Sequence, residues 1–326
     1  MGRIRKLVQG RLLFLAGILF LGCNCRRESP AVPLPEPASV SVQPMAWEVG
    51  VATGIGNFVP EKLQPLALEG VQHLEASGMS TFFGNDLRFK MSDQEIRHRL
   101  EQAKKAADSA GLNIHSIHMP FGSGIDLSLA DEEKRKQVVA AHSKLITYLK
   151  ILEPEVLLFH PSYYLGLDER ELRKDQLLKS ALVLDEKTRE IGAVMVLENM
   201  LGPELLHKEG QERPLMRSVE ETLDLFKRLP PTIRAAVDMN HIRHPESLIL
   251  ALGKRLQAVH IADGSGEAED HFFPCSGKGK NDWNAIFAAL YEAGFTGPFM
   301  YESQAPENQT YLDCYEHLYQ NYVDGL

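Results

Sequence analysis

The chain has 326 residues, 44% hydrophobic and 24% charged, with a formal net charge of −9. That apolar content supports a packed core and excludes a disordered or low-complexity chain. The acidic balance makes nucleic acid and anionic headgroups poor partners, because neutralising phosphates takes a basic surface.

Arg3, Arg5, Lys6 and Arg11 precede an apolar run from Leu12 to Gly22, and Cys23 follows it. A membrane span takes about 20 apolar residues, so this shorter run reads as a secretory signal peptide over residues 1–22. Phe20 to Cys23, FLGC, resembles a bacterial lipobox with Phe20 where leucine is more usual. The resemblance implies cleavage before Cys23, lipid attachment there, and export to the cell envelope, with the membrane met only through that anchor. A plain signal peptide with an incidental Cys23 is the alternative. Removing residues 1–22 takes away those four positive charges and no negative ones, so −9 becomes −13. Residues 23–46 are proline-rich, cannot bury a core and read as an extended tether. Residues 47–326 then form the globular part.

From Trp47 onward, short apolar runs alternate with amphipathic stretches. Strands are expected at 47–55, 79–85, 113–121, 155–162, 193–200, 233–239, 256–263 and 297–303. Between them, residues 92–111 read as a helix capped by Ser92 and stopped by Gly111, and 283–294 as one capped by Asp282 and stopped by Gly294. Most strand runs are apolar throughout, as expected when both faces are covered. Eight β-then-α units over a length close to the roughly 250 residues usual for the architecture indicate an α/β fold of the single (β/α)8 barrel type. An open doubly wound sheet is the alternative, but no GxGxxG turn follows the first strand.

In such a barrel the C-terminal strand ends meet on one face. Strand three ends at His118, four at His160, five at Glu198, six at Asp238 followed by His241, seven at His260 and eight at Glu302. Each has a bland reading. Glu198 could be a buried acid in an ion pair, but no arginine lies at a neighbouring strand end, and an unpaired buried carboxylate is expensive. His118 and His160, in SIHMPF and LLFHPS, could equally be core histidines. His73, His98, His142, His207 and His317 fall in expected helices or loops and read as solvated. Lys278 and Lys280 read as a solvated turn. Cys275 and Cys314 have no diagnostic spacing, although an oxidising compartment permits a bridge between them; Cys275, if free, is either simply buried or close to a metal.

Taken in order, VLENM, AVDMNHI, VHIADG, GKGKNDW and GPFMYES resemble the xylose-isomerase-like barrel superfamily, which holds sugar isomerases and epimerases and the endonuclease IV type of repair enzyme. The resemblance covers the chain from about Trp47. Carried over residue by residue, it implies that Glu198, Asp238, His260 and Glu302 hold one divalent metal, that His241 lies beside the substrate, and that Asn199 belongs to the same site. In the endonuclease-type members, His118 and His160 would bind further zinc, and His271, following Asp270, would stand in for an Asp-x-His element. One departure is that many epimerases place an arginine after the seventh-strand histidine, where this chain has DGSGEAED.

Three carboxylates and one imidazole suit Mn²⁺ best, then Co²⁺ or Mg²⁺, and added histidines shift preference toward Zn²⁺. The expected activity is isomerisation or epimerisation of a small keto-sugar through an enediolate, with Glu198 and Glu302 moving the proton. Three alternatives stay open: zinc-dependent phosphodiester hydrolysis, elimination from an oxidised glycoside, and a carbohydrate-binding lipoprotein without turnover. The loops FGSGIDLS and LGPELLHKEGQERPLMRS are placed to shape specificity.

Overall fold

The computed structural model describes residues 46–203 and 210–326. The expected signal peptide, Cys23, the tether up to residue 45 and His207 lie outside the described residues. Eight strands, β1 (Val49–Gly54), β2 (His73–Ser77), β3 (Asn113–His118), β4 (Val156–Phe159), β5 (Val194–Glu198), β6 (Arg234–Asp238), β7 (Leu256–His260) and β8 (Phe299–Tyr301), are each followed by a helix. The helices are α1 (Pro60–Leu68), α2 (Asp93–Ala110), α3 (Glu132–Leu149), α4 (Arg170–Glu190), α5 (Val219–Arg228), α6 (Pro245–Leu252), α7 (Trp283–Ala293) and α8 (Tyr311–Asp324).

All named pairings are parallel, in the order β7-β6-β5-β4-β3-β2-β1-β8. The ring closes just beyond β7, where the Ile261 amide donates to Met300 O (2.7 Å) and the Glu302 amide donates to Ile261 O (3.1 Å). This is a single (β/α)8 barrel, as the alternating pattern predicts.

The helix ends follow their sequence signals. Ser92 accepts from the Glu95 amide while Glu95 reaches back to the Ser92 amide, and Gly111 ends α2 at φ 73°. Asp282 accepts from the Ala285 amide, and Gly294 ends α7 at φ 71°.

The core has two parts. Leu157, Phe159, Leu197, Val237, Val259 and Phe299 belong to the large cluster packed with the helices, whereas Val156, Leu158, Val196, Ala236 and Ala258 form a separate plug. Strand side chains alternate faces with period 2. The plug's rows therefore continue upward from Leu158 to His160, Val196 to Glu198, Ala236 to Asp238 and Ala258 to His260, which aims those four groups at one another.

The second strand departs from expectation. MSTFFGN is not a strand; Met79–Phe82 forms a 3₁₀ turn entered through Gly78 at φ 78°, with Met79 and Phe82 buried. The strand is HLEAS, one turn earlier. Met79, Phe82 and Phe83 are buried in the main core without joining the barrel sheet. Two histidines also differ from the solvated reading. His142 is fully buried in α3, where burial drives its pKa down to about 4. His73 opens β2 with its Nε2 2.6 Å from Glu48 Oε2, at the end opposite the cluster below. His98 and His317 are exposed, as expected.

Candidate metal and catalytic site

The plug rows end in one polar cluster. His260 Nδ1 lies 2.9 Å from Glu198 Oε1, 2.8 Å from Glu302 Oε2 and 3.8 Å from Asp238 Oδ2. Glu198 and Asp238 are 0% exposed, whereas the Glu302 side chain is 28% exposed. Glu302 also borders a cavity of about 330 Å³ together with Ser77, Ser80, His118 and Phe121. Phe121, 53% exposed at the mouth, stacks on His160 with ring centroids 4.1 Å apart.

The other candidates surround this core. His160 Nε2 is 3.1 Å from Glu198 Oε2, and His118 Nε2 is 3.7 Å from the same oxygen. His271 Nε2 is 3.5 Å from Asp238 Oδ2 and 3.6 Å from Glu302 Oε2. The Asp238-x-x-His241 spacing has a local cause: Asp238 Oδ1 accepts from the amides of Asn240 (2.6 Å) and His241 (3.1 Å), folding the turn that returns His241 to the strand end. The Asn199 side chain is spent on the Asp238 backbone, accepting from its amide at 2.8 Å and donating to its carbonyl at 3.3 Å. It thereby clamps β5 to β6, and its backbone oxygen lies 2.9 Å from His241 Nδ1.

Ligand-capable atoms come within 4.8 Å of one another in four overlapping groups: Glu198, Asp238, His260 and Glu302; His118, His160 and Glu198; His118, His260 and Glu302; and Asp238, His241 and His271. Three buried atoms in these groups, Glu198 Oε2, Asp238 Oδ2 and His241 Nε2, have no hydrogen-bond partner. Buried polar atoms are normally satisfied; a cation held by Glu198, Asp238, His260 and Glu302 would serve the two carboxylates, while His241 belongs to the separate group with Asp238 and His271. The residues present thus fit a divalent ion. The set is also charge-coupled. Burial alone would raise the Glu198 and Glu302 carboxyls, yet the His260 charge holds both well below the usual range. Burial alone would lower His241 and His271, but Asp238 together with Glu269, Glu198 and Glu302 pushes them up to about 10 and about 11. Burial wins at His160, whose pKa is lowered.

Two acids escaped the sequence reading. Glu269, not Asp270, faces the cluster: its Oε1 is 3.4 Å from His241 Nε2, while Asp270 Oδ2 accepts from the Ser265 amide at 2.7 Å. Residues 269–271 lie in the loop between β7 and α7, outside any strand, so no local pattern in the sequence singles out Glu269. The other is Glu75 on β2, 1% exposed, with Oε1 2.9 Å from His260 Nε2. It sits in the middle of β2, where a rule that looks at strand ends does not reach.

The loop after β7 is anchored twice. Asp263 accepts from the Gly264 amide (2.8 Å), the Asn281 amide (3.0 Å) and Trp283 Nε1 (3.0 Å). A Cβ at Gly279 would fall on the Asp263 carboxylate, which explains a glycine within GKGKNDW. Cys275, read above as a thiol if free, is bonded to Cys314 at the start of α8. Between these anchors His271 adopts a left-handed backbone, φ 48°.

Known structures share this architecture. An apo 3-keto-D-glucoside 4-epimerase, YcjR, of E. coli aligns with 86% of this chain and 100% of its own at 15% identity and a TM-score of 0.60. A D-tagatose 3-epimerase-like protein aligns over 84% and 98% at 19% identity and 0.64, and an L-ribulose 3-epimerase over 86% and 95% at 17% and 0.62. At these identities the likeness is one of fold. An uncharacterised protein of Methanocaldococcus jannaschii is 21% identical over 172 residues, spanning 52% of this chain and 63% of that protein. Residues 68–320 match the family model described as the xylose isomerase-like TIM barrel, and the chain belongs to that family.

Proposed function

We propose that the protein is a divalent-metal-dependent isomerase or epimerase of a small keto-sugar. One observation carries this reading: Glu198 and Glu302, from opposite parts of the ring, converge on the single Nδ1 of His260, with Asp238 completing a four-ligand group. Sugar epimerases among the structural neighbours support the same reading.

Glu198, Asp238, His260 and Glu302 would hold the ion, Mn²⁺ best and Co²⁺, Mg²⁺ or Zn²⁺ as substitutes. When bound, it supplies Lewis acidity that stabilises negative charge on the substrate carbonyl oxygen and so acidifies the neighbouring C–H. Glu302, beside the cavity, takes that proton on one face of the substrate. Inversion follows when Glu198 enters the turnover as the carboxylic acid and gives its proton to the same carbon on the other face, leaving the two carboxyls with exchanged roles; delivery to the adjacent carbon, with the hydroxyl proton passing to the former carbonyl oxygen, gives the isomer. Phe121 offers an apolar face to the sugar ring.

Ketohexoses incubated with the metal-loaded protein in D₂O test this. Deuterium should enter at the carbon next to the carbonyl, and Glu302→Gln should abolish its entry while the protein stays folded. No exchange with any ketose or keto-glycoside, despite bound metal, would contradict the reading.

A second reading, multinuclear phosphodiester hydrolysis, is favoured by one specific observation: His118 with His160 and His241 with His271 complete two further ligand groups on the same carboxylates. The net charge of −9 opposes a polyanionic substrate. Export with lipid attachment at Cys23 also belongs to the proposal. The Cys275–Cys314 disulfide suits an oxidising compartment.

A further inference from the structure

The His260 imidazole is gripped from both sides. Its Nδ1 faces Glu198, Glu302 and Asp238, and its Nε2 faces Glu75 Oε1 at 2.9 Å. Glu75 Oε2 accepts from Ser116 Oγ at 2.7 Å, so both carboxylate oxygens are engaged. No lysine or arginine partner of Glu75 occurs among the ion pairs of the described residues; its counter-charge is His260. A carboxylate buried at 1% exposure costs several kcal/mol unless its charge is compensated. Packing alone would be served better by an apolar side chain.

An ionised carboxylate only accepts hydrogen bonds, so Nε2 carries the hydrogen. A neutral imidazole has one N–H, and its lone pair is then left on Nδ1, the nitrogen facing the three acids. We propose that Glu75 is a positioning residue that fixes His260 as an Nδ1 metal ligand and strengthens its donation to the ion. Ser116 orients Glu75, forming a chain from β3 through β2 to β7. Outer partners of this kind typically contribute 10–100-fold in metal affinity. The inference rests on the metal-site reading above.

Glu75→Gln tests it, because the amide preserves size and can still accept from Nε2 but removes the charge. Mn²⁺ and Zn²⁺ dissociation constants would be measured by competition with a chelating indicator, alongside the melting temperature of the metal-stripped protein. We expect Glu75→Gln to bind metal at least about tenfold more weakly with an unlowered metal-free melting temperature, and Ser116→Ala to show a smaller loss of the same kind. Unchanged affinity in Glu75→Gln overturns the proposal. So does weaker binding accompanied by a lowered metal-free melting temperature, which would make Glu75 a fold residue. Wild type that takes up no metal defeats the underlying site reading instead, and is recognised before either variant is compared.

Discussion

The two ends of the barrel carry similar residues and do different things with them. At the N-terminal end, Glu48, His73, His115 and Glu155 line a cavity of about 490 Å³. At the C-terminal end, Glu198, Asp238, His260 and Glu302 converge. In the first set the carboxylate side chains are 64% and 62% exposed, and each meets one imidazole, at 2.6 and 3.4 Å. In the second, two of the three acids are 0% exposed and all three face the same nitrogen. Among the described residues, only the C-terminal end places three or more ligand atoms within 4.8 Å of one another. Composition alone does not make a metal site; burial and convergence do, because water screens the exposed pairs while the buried acids have only each other and histidine.

The largest expected effect that would sharpen this contrast is Glu198→Gln. It removes the charge of a residue that belongs to two of the four ligand groups, so metal should be lost and turnover should fall by a factor of about 10² to 10⁴. Steady-state kinetics and elemental analysis check it; full metal content in the variant breaks the contrast. His160→Ala comes next. It should weaken turnover less than Glu198→Gln and leave the metal bound to the four-ligand group, since His160 lies outside that group.

A third expectation concerns pH. His241 and His271 sit at about 10 and about 11 in the metal-free protein, above the ordinary histidine value of 6.5. Their protonated forms therefore contribute stability that is fully present below pH 6.5 and lost as the pH rises through 10 to 11. The melting temperature of the metal-stripped protein should fall across that alkaline window. Metal binding at pH 7 should also release protons, starting with the one on His260 Nδ1, whose pKa is raised well above its usual value. Calorimetry in buffers of different ionisation enthalpy measures that release, and zero release would show that the ion binds elsewhere. The smallest effect belongs to the other end: Glu155→Gln should leave metal content unchanged and shift stability by less than about 1 kcal/mol.

Much of this was legible in the sequence because the barrel enforces a simple grammar. Where a strand is apolar throughout, as in VMVLE and AAVD, the polar residue that ends it stands out, and Glu198, Asp238 and His260 were found that way. The rule failed at β2, because HLEAS carries two ionisable residues within five and a more apolar neighbour, MSTFF, competed for the assignment. Glu75, at the centre of that strand, lies where a strand-end rule does not look. Glu269 was missed for another reason: its neighbour Asp270 fits the same element, and only the fold of the β7–α7 loop decides which acid turns inward. The burial of His142 depends on α3 packing against Phe159, a tertiary contact with no local signature.

The most direct measurement is the metal content per chain of wild type, Glu198→Gln and His160→Ala by elemental analysis after exposure to Mn²⁺ or Zn²⁺ and removal of excess. The account predicts one ion per chain in wild type, none in Glu198→Gln and one in His160→Ala. No ion in wild type, or two to three ions with loss on removing His160, would contradict it.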